Sequence, residues 1–446
     1  MQKKKTHNVF LKEFFKGKEF IYAIVNLTIL VIIISLTILT KRSFSFNSLI
    51  DIGTFTAVIS AFIINFVSTA VYSAYVKSKE DERKLTTNYD QLSTQYSANT
   101  KILEYGNYNA TQQNIEIGSS KTTCMGSKKV INGIVGNVYR IPITDVISFQ
   151  GKKVHINNDN YRKMYKHPDI INGMTTEIFK AHSFSRIYNQ LMIRCDNIEE
   201  NGNEITIYFS KTTYYESLIT NRAMDYSIDG KSVREVCAYG PYLHPLIDSE
   251  LSNHIGYNGF VETEDGKIIF IFRSKHVSIA KNTIQSSIGS SLKVKYACKA
   301  DGVVTNEGIV FAMKKEIEDE LCLRNIENYL DRQNEIFSDF SFKNILYFYR
   351  ELVEGGKPQL MFYTKIHLTS EEISIAYTKG VKNAKKGDFY CSIDGYKLLF
   401  VNKHDLAKIY ITPDGMTING KYYKSVPTST GTLVLLLNYF SNKGNK

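Results

Sequence analysis

The sequence predicts an α+β protein with an N-terminal two-helix transmembrane hairpin, a helical stalk and a mixed-sheet cytosolic region. Three observations carry this. Two uncharged hydrophobic stretches occupy residues 20–40 and 52–76. A short four–three spacing of large side chains follows them. Beyond it, strand-like alternation and Asn-Gly or Asp-Gly pairs surround one strongly periodic helix.

Each hydrophobic stretch is long enough to cross the hydrocarbon core, which takes about 20 residues as a helix. Lys41 and Arg42 stop the first sharply, and Lys77 and Lys79 close the second. No small-residue cleavage site separates them, so a signal peptide is excluded. Lysines crowd residues 1–19, and Lys77, Lys79, Arg83 and Lys84 follow the second stretch. The connecting loop has only two basic residues. The positive-inside bias therefore predicts a multi-pass inner-membrane protein with both termini cytosolic. In the second stretch Thr54, Ala57, Ala61, Asn65, Ser68 and Tyr72 share one helical face, a stripe suited to close helix packing or oligomerisation.

Residues 77–105 read as a helix leaving the membrane. Leu85, Tyr89, Leu92, Tyr96 and Leu103 form its seam, with Asn99 at the missing step. That seam fits a stalk between protomers or packing on the chain's own globular region. Residues 106–250 read as a mixed α/β extension, with Glu204–Phe209 alternating as a strand. Hydrophobic residues are 43% of the chain, which excludes broad disorder. The net charge of +11 points to anionic partners. Six scattered cysteines contain no CxxC pair, which leaves no zinc-ligand spacing and fits a reducing compartment.

The chemistry concentrates in residues 307–323. Ile309, Met313, Ile317 and Leu321 recur every fourth residue and define the buried face of a helix. Glu316, Asp319 and Glu320 stand at i, i+3 and i+4, on one side of it. Like charges so placed repel unless a cation joins them. Hard oxygen ligands suit Mg²⁺, which in turn holds phosphate oxygens. An ordinary solvated acidic face is the alternative on spacing alone.

Residues 315–323, Lys-Glu-Ile-Glu-Asp-Glu-Leu-Cys-Leu, resemble the second half of the Nudix box, G-x5-E-x7-R-E-U-x-E-E-x-G-U. Residues 259–274 resemble the opening Nudix hairpin, with an Asp265-Gly266 turn. Residues 286–291 and 346–363 resemble the segments on either side of the box. The resemblance implies a Nudix-like domain over 251–446. It also implies Glu316 as general base, with Glu307, Glu316, Asp319 and Glu320 as Mg²⁺ ligands. Ligand contacts would come from Arg273, Lys275, Arg350 and Lys357, the last two flanking a Gly355-Gly356 loop. Several positions depart from the pattern. Asp301 stands for the first glycine, Lys315 for the arginine, Asp319 for one glutamate and Cys322 for the last glycine. Lysine cannot copy the bidentate arginine bond, so hydrolysis and ligand sensing without turnover are both open.

A two-span module joined to a Nudix-like domain resembles one class of effector in cyclic-oligonucleotide antiphage (CBASS) signalling. That likeness implies a cyclic nucleotide ligand made by a partner synthase, homo-oligomerisation, and disruption of the lipid bilayer. No nucleic-acid polymer is implied. The rival is a membrane-tethered Nudix hydrolase of a nucleoside diphosphate derivative.

Overall fold

A computed structural model describes residues 88–107, 115–117, 127–131, 134–175, 189–228, 230–274, 282–298, 302–385 and 395–444, with a few isolated positions besides. The chain divides at Thr87/Asn88 into two compact units, and residues 88–446 form the larger one.

The transmembrane hairpin does not stand. No helix among the described residues is long and apolar enough to cross a membrane, and the multi-pass inner-membrane placement falls with it. The two stretches behind that expectation lie outside the described residues, save Ser60, Ile63, Val67 and Ser68. The fold that is described is α+β with mixed sheets.

Helix α1 (Tyr89–Gln95) leads into a four-stranded sheet of β1 (Leu103–Asn107), β2 (Ile115–Ile117), β3 (Ser127–Ile131) and β4 (Ile134–Ile141), ordered β2-β1-β4-β3. Then come β5 (Ile143–Ser148), β6 (Lys153–Asn157), β7 (Leu191–Asn201) and β8 (Glu204–Thr213). Strands β6 and β8 are parallel, and β7 returns antiparallel to β8. Helix α2 (Tyr214–Ile219), the short hairpin β9 (Ser227–Ile228) and β10 (Lys231–Ser232), and helix α3 (Val233–Cys237) follow.

The central sheet comes next. It contains β11 (Gly256–Glu262), β12 (Lys267–Arg273), β13 (Ile284–Gln285) and β14 (Ile288–Ser291). Helices α4 (Val294–Ala297), α5 (Asn306–Glu320) and α6 (Tyr329–Ile336) separate these from β15 (Ile345–Glu351) and β16 (Lys357–Lys365). Helix α7 (Ser370–Lys385) precedes β17 (Gly395–Asn402). A small sheet of β18 (Tyr410–Thr412), β19 (Gly415–Ile418) and β20 (Lys421–Lys424) precedes the last helix, α8 (Pro427–Gly444).

The central sheet runs β13-β12-β11-β16-β15-β5, with β14 on β11 and β17 on β12. Strands β11 and β16 pair in parallel and the other pairs are antiparallel. Strands β12 and β16 alternate between two cores, as the two-residue period requires. Ile269, Ile271, Leu360 and Phe362 face α5 and α7; Ile268, Phe270 and Met361 face α8. Leu433–Leu437 of α8 are buried in that second core. The apolar run of α8 thus serves a packed interior.

The extension and the domain after residue 250 are one body. Strand β5 pairs with β15 as an edge of the central sheet. The Ile193 N–H donates to the Leu292 carbonyl at 2.9 Å, and the Ile255 N–H donates to the Ile193 carbonyl at 2.9 Å. The same stretch bridges Met192 to Lys293.

Of the expected stalk, the described helix covers only Tyr89–Gln95, and Leu103 opens a strand. Leu92 and Tyr96 are fully buried on the chain's own globular body. The polar step Asn99 pairs with the Leu243 backbone, donating at 3.1 Å and accepting at 2.9 Å. Arg234 ties this region together at 1% exposure. Its guanidinium donates to the Tyr96 hydroxyl (2.8 Å) and to the Leu352 and Val353 carbonyls (3.1 and 2.9 Å), and it is ion-paired to Asp225. Replacing Arg234 with Met strands the Asp225 carboxylate. It should cost about 3–5 kcal/mol in urea unfolding, the range for breaking one half of a buried pair. A loss within about 0.5 kcal/mol would mean that Arg234 carries no such tie.

Candidate functional site: a neutralised acidic helix

Helix α5 begins at Thr305, whose hydroxyl accepts the Gly308 N–H at 3.0 Å. A side chain at position 308 would meet the Ala297 carbonyl oxygen at 2.1 Å, so only glycine lets α5 lie against α4. Ile309, Met313, Ile317 and Leu321 are all fully buried, as their spacing predicts. The helix ends in a left-handed turn at Cys322, φ +57°. The Nudix pattern has glycine there, the residue such a turn favours. Cys322 is accommodated because its neighbour on α7 is Gly380: a Cβ at 380 would lie 2.4 Å from the Cys322 Sγ.

Three carboxylates of α5, Glu316, Glu318 and Asp319, are met by the protein's own cations. Lys293 Nζ donates to Glu316 Oε2 at 3.0 Å, and both side chains are largely buried. Burial pulls the Lys293 ammonium down, but Glu316 and, more weakly, Glu320 outweigh it and hold its pKa above the ordinary value. Glu318, 2% exposed, is the most heavily bonded of the group. It is ion-paired to Lys315 and Arg324 and accepts from the Tyr329 hydroxyl and the Gln333 amide, each at 2.9 Å. Burial alone would push the Glu318 carboxyl up; the bonds from Lys315, Arg324 and Tyr329 hold it below its usual range. Lys315 also lies 3.5 Å from Asp319. Burial raises the Asp319 pKa against the pull of Lys315.

Of the expected metal ligands, the structure brings Glu316, Asp319 and Glu320 to one end of α5 and leaves Glu307 exposed at the other. Nine positions along a helix is about 13 Å. Among the described residues no three His, Cys, Asp or Glu side chains converge as a metal site. Lys293 holds the Glu316 carboxylate that a divalent cation would need. The donor set as arranged does not fit Mg²⁺, and no catalytic step is derived through one.

The expected ligand contacts are not gathered into a cleft. Arg350, 4% exposed, spends its guanidinium on the Gly356 carbonyl (2.8 Å), the His244 carbonyl (2.8 Å) and Asp145 (3.2 Å). The Gly355-Gly356 turn is itself buried: side chains there would strike Met224, Leu251, Leu243 and Arg350. It is a packed corner and offers phosphate no cradle. Lys357, 3% exposed, is ion-paired to Glu354 at 2.6 Å. Arg273 faces the Gln285 side chain at 3.4 Å. Lys275 lies outside the described residues.

The residues that sequence reasoning missed are Lys293, Glu318, Arg324 and Tyr329. The i,i+3 spacing of Lys315 and Glu318 was visible. Lys293 was not, because it arrives from outside α5 through the β7 pairing at Met192. The outcome is a helix with charge balanced locally, next to an aromatic and lysine-bearing surface on α4. Lys295 Nζ stands 4.5 Å from the Tyr296 ring centre, and Tyr296 meets the exposed Phe311 ring edge-on at 6.1 Å. No protein-family model matches the chain, and no curated protein matches it.

Glu351, beneath the buried corner, has a different balance. Burial, then the charge of Glu354, pushes its carboxyl up to about 7, against bonds from Thr428 and Gln359. The folded chain therefore keeps a proton that the unfolded chain has already lost. The share of stability that Glu351 contributes should fall as pH rises from about 4.5 to about 7 and stay lowered above that. Glu351→Gln should remove that share, so its urea-unfolding stability from pH 5 to 8 should fall less with rising pH than the wild type's. An identical slope in the variant would show that Glu351 is not its source.

Proposed function

We propose that the chain is a binding effector of nucleotide signalling, whose Nudix-like domain takes an anionic cyclic nucleotide and does not cleave it. The observation that carries this reading is the Lys293–Glu316 ion pair at 3.0 Å. Glu316 occupies the general-base position of the box that the sequence resembles. A carboxylate held by an ammonium, with no converging donor set for Mg²⁺ among the described residues, is suited to balancing charge at a binding surface. The residue at the arginine position, Lys315, turns to Glu318 and Asp319. It leaves Glu316 to Lys293.

The element order supports the Nudix-like part of the reading: hairpin β11–β12, acidic helix α5, then the pair β15–β16. The surplus of positive charge, +11, favours an anionic ligand. A partner synthase would supply it.

Cyclic dinucleotides titrated against the full chain by calorimetry should bind at micromolar concentration and be recovered intact after prolonged incubation with Mg²⁺. Lys293→Met should weaken binding about tenfold, roughly 1.4 kcal/mol, because it leaves the Glu316 carboxylate unmatched beside an anionic ligand. Mg²⁺-dependent cleavage abolished by Glu316→Gln would overturn the proposal in favour of a hydrolase. Failure to bind any nucleotide at millimolar concentration would overturn it outright.

A further inference from the structure

We infer that the nucleobase of the ligand stacks on Phe311 of α5, with Glu307 reading a guanine edge and Lys295 holding the phosphates. This rests on the nucleotide-binding reading and names its surface. Phe311 is 53% exposed on a helix whose other large apolar side chains are buried. An exposed aromatic ring in that position has no packing role on its outer face. It is supported from below by Tyr296, edge-on at 6.1 Å and 71°. Tyr296 in turn carries two ammonium groups near its ring, Lys295 at 4.5 Å and Lys293 at 6.0 Å. An aromatic platform beside clustered cations is the pairing that nucleotides fit: every base has a π-face, and its phosphates are negative.

The helix fixes the rest. Glu307 stands four residues before Phe311 and Lys315 four after it, so the three share a face, each about 6 Å apart along the axis. Glu307 is exposed. A carboxylate beside a stacked base accepts from two adjacent donors, which guanine presents as N1–H and its 2-amino group. Adenine offers one amino group beside a ring nitrogen whose lone pair repels the carboxylate. On the far side Lys315 is already paired with Glu318 and Asp319, and Lys293 with Glu316, so the phosphates fall to the exposed Lys295, which can leave the Tyr296 ring. The occupant is therefore a cyclic guanine nucleotide.

The test uses the full chain with cyclic diguanylate and cyclic diadenylate in parallel titrations. The diguanylate should bind at least tenfold more tightly. Phe311→Ala should lose tenfold or more of that affinity, Lys295→Ala severalfold with a weaker salt dependence, and Glu307→Gln should narrow the preference for guanine. Leu330→Ala, which trims an exposed side chain on α6, should change nothing. If both nucleotides bind and neither Phe311→Ala nor Glu307→Gln matters, the ligand sits elsewhere; this inference fails while the nucleotide-binding reading survives. If neither nucleotide binds, this inference falls, and the nucleotide-binding reading falls with it only when no other nucleotide binds at millimolar concentration. If Phe311→Ala changes only the oligomeric state, the face joins copies of the chain and the inference is wrong.

Discussion

The structure depends on how the acidic end of α5 is made electrically tolerable. Four carboxylates, Glu316, Glu318, Asp319 and Glu320, crowd a helix that must also bury Ile309, Met313, Ile317 and Leu321 against the central sheet. Close like charges with low exposure repel strongly unless matched. Lys293, Lys315 and Arg324 meet three of the four, Glu316, Glu318 and Asp319, with Tyr329 and Gln333 completing the shell of Glu318. The cations come from three directions. Lys315 belongs to α5 itself, Arg324 follows its left-handed end, and Lys293 arrives from before α4.

That last placement gives the N-terminal extension a physical role. Strand β7 pairs with the 253–255 and 292–293 segments, fixing the backbone from which the Lys293 side chain reaches Glu316. The extension also lends β5 to the central sheet. Residues on either side of position 250 therefore share one core and one electrostatic site. The tight α4–α5 contact at Gly308 then brings Tyr296 beside Phe311. Charge balance and the aromatic platform follow from the same local packing.

Much of this was legible in the sequence where periodicity or turn chemistry speaks. The four-residue spacing gave the buried face of α5, the Asp265-Gly266 pair marked the β11–β12 turn, and Glu204–Phe209 read as a strand. Gly266 has φ +73°, the conformation that pair implies. The two uncharged stretches read as a membrane hairpin, which no described helix supports. Arg350 and Lys357 looked like phosphate contacts because local sequence carries no sign of burial. Tertiary packing turned them inward, onto the Gly356 and His244 carbonyls and onto Glu354. The Tyr96 seam position was visible, but its partner, Arg234, stands 138 residues away. Lys293 was hidden for the same reason. Spacing rules see neighbours on one element, and ion pairs between elements are decided by topology.

The central claim is that a lysine, rather than a divalent cation, completes the acid cluster of α5. Mn²⁺ titration of the full chain and of Lys293→Ala, followed by electron paramagnetic resonance, tests it most directly. The wild-type chain should bind Mn²⁺ only weakly, and Lys293→Ala should gain affinity at least tenfold as the Glu316 carboxylate is released toward Glu320. Tight Mn²⁺ binding by the wild-type chain, unchanged or weakened in Lys293→Ala, would contradict the account.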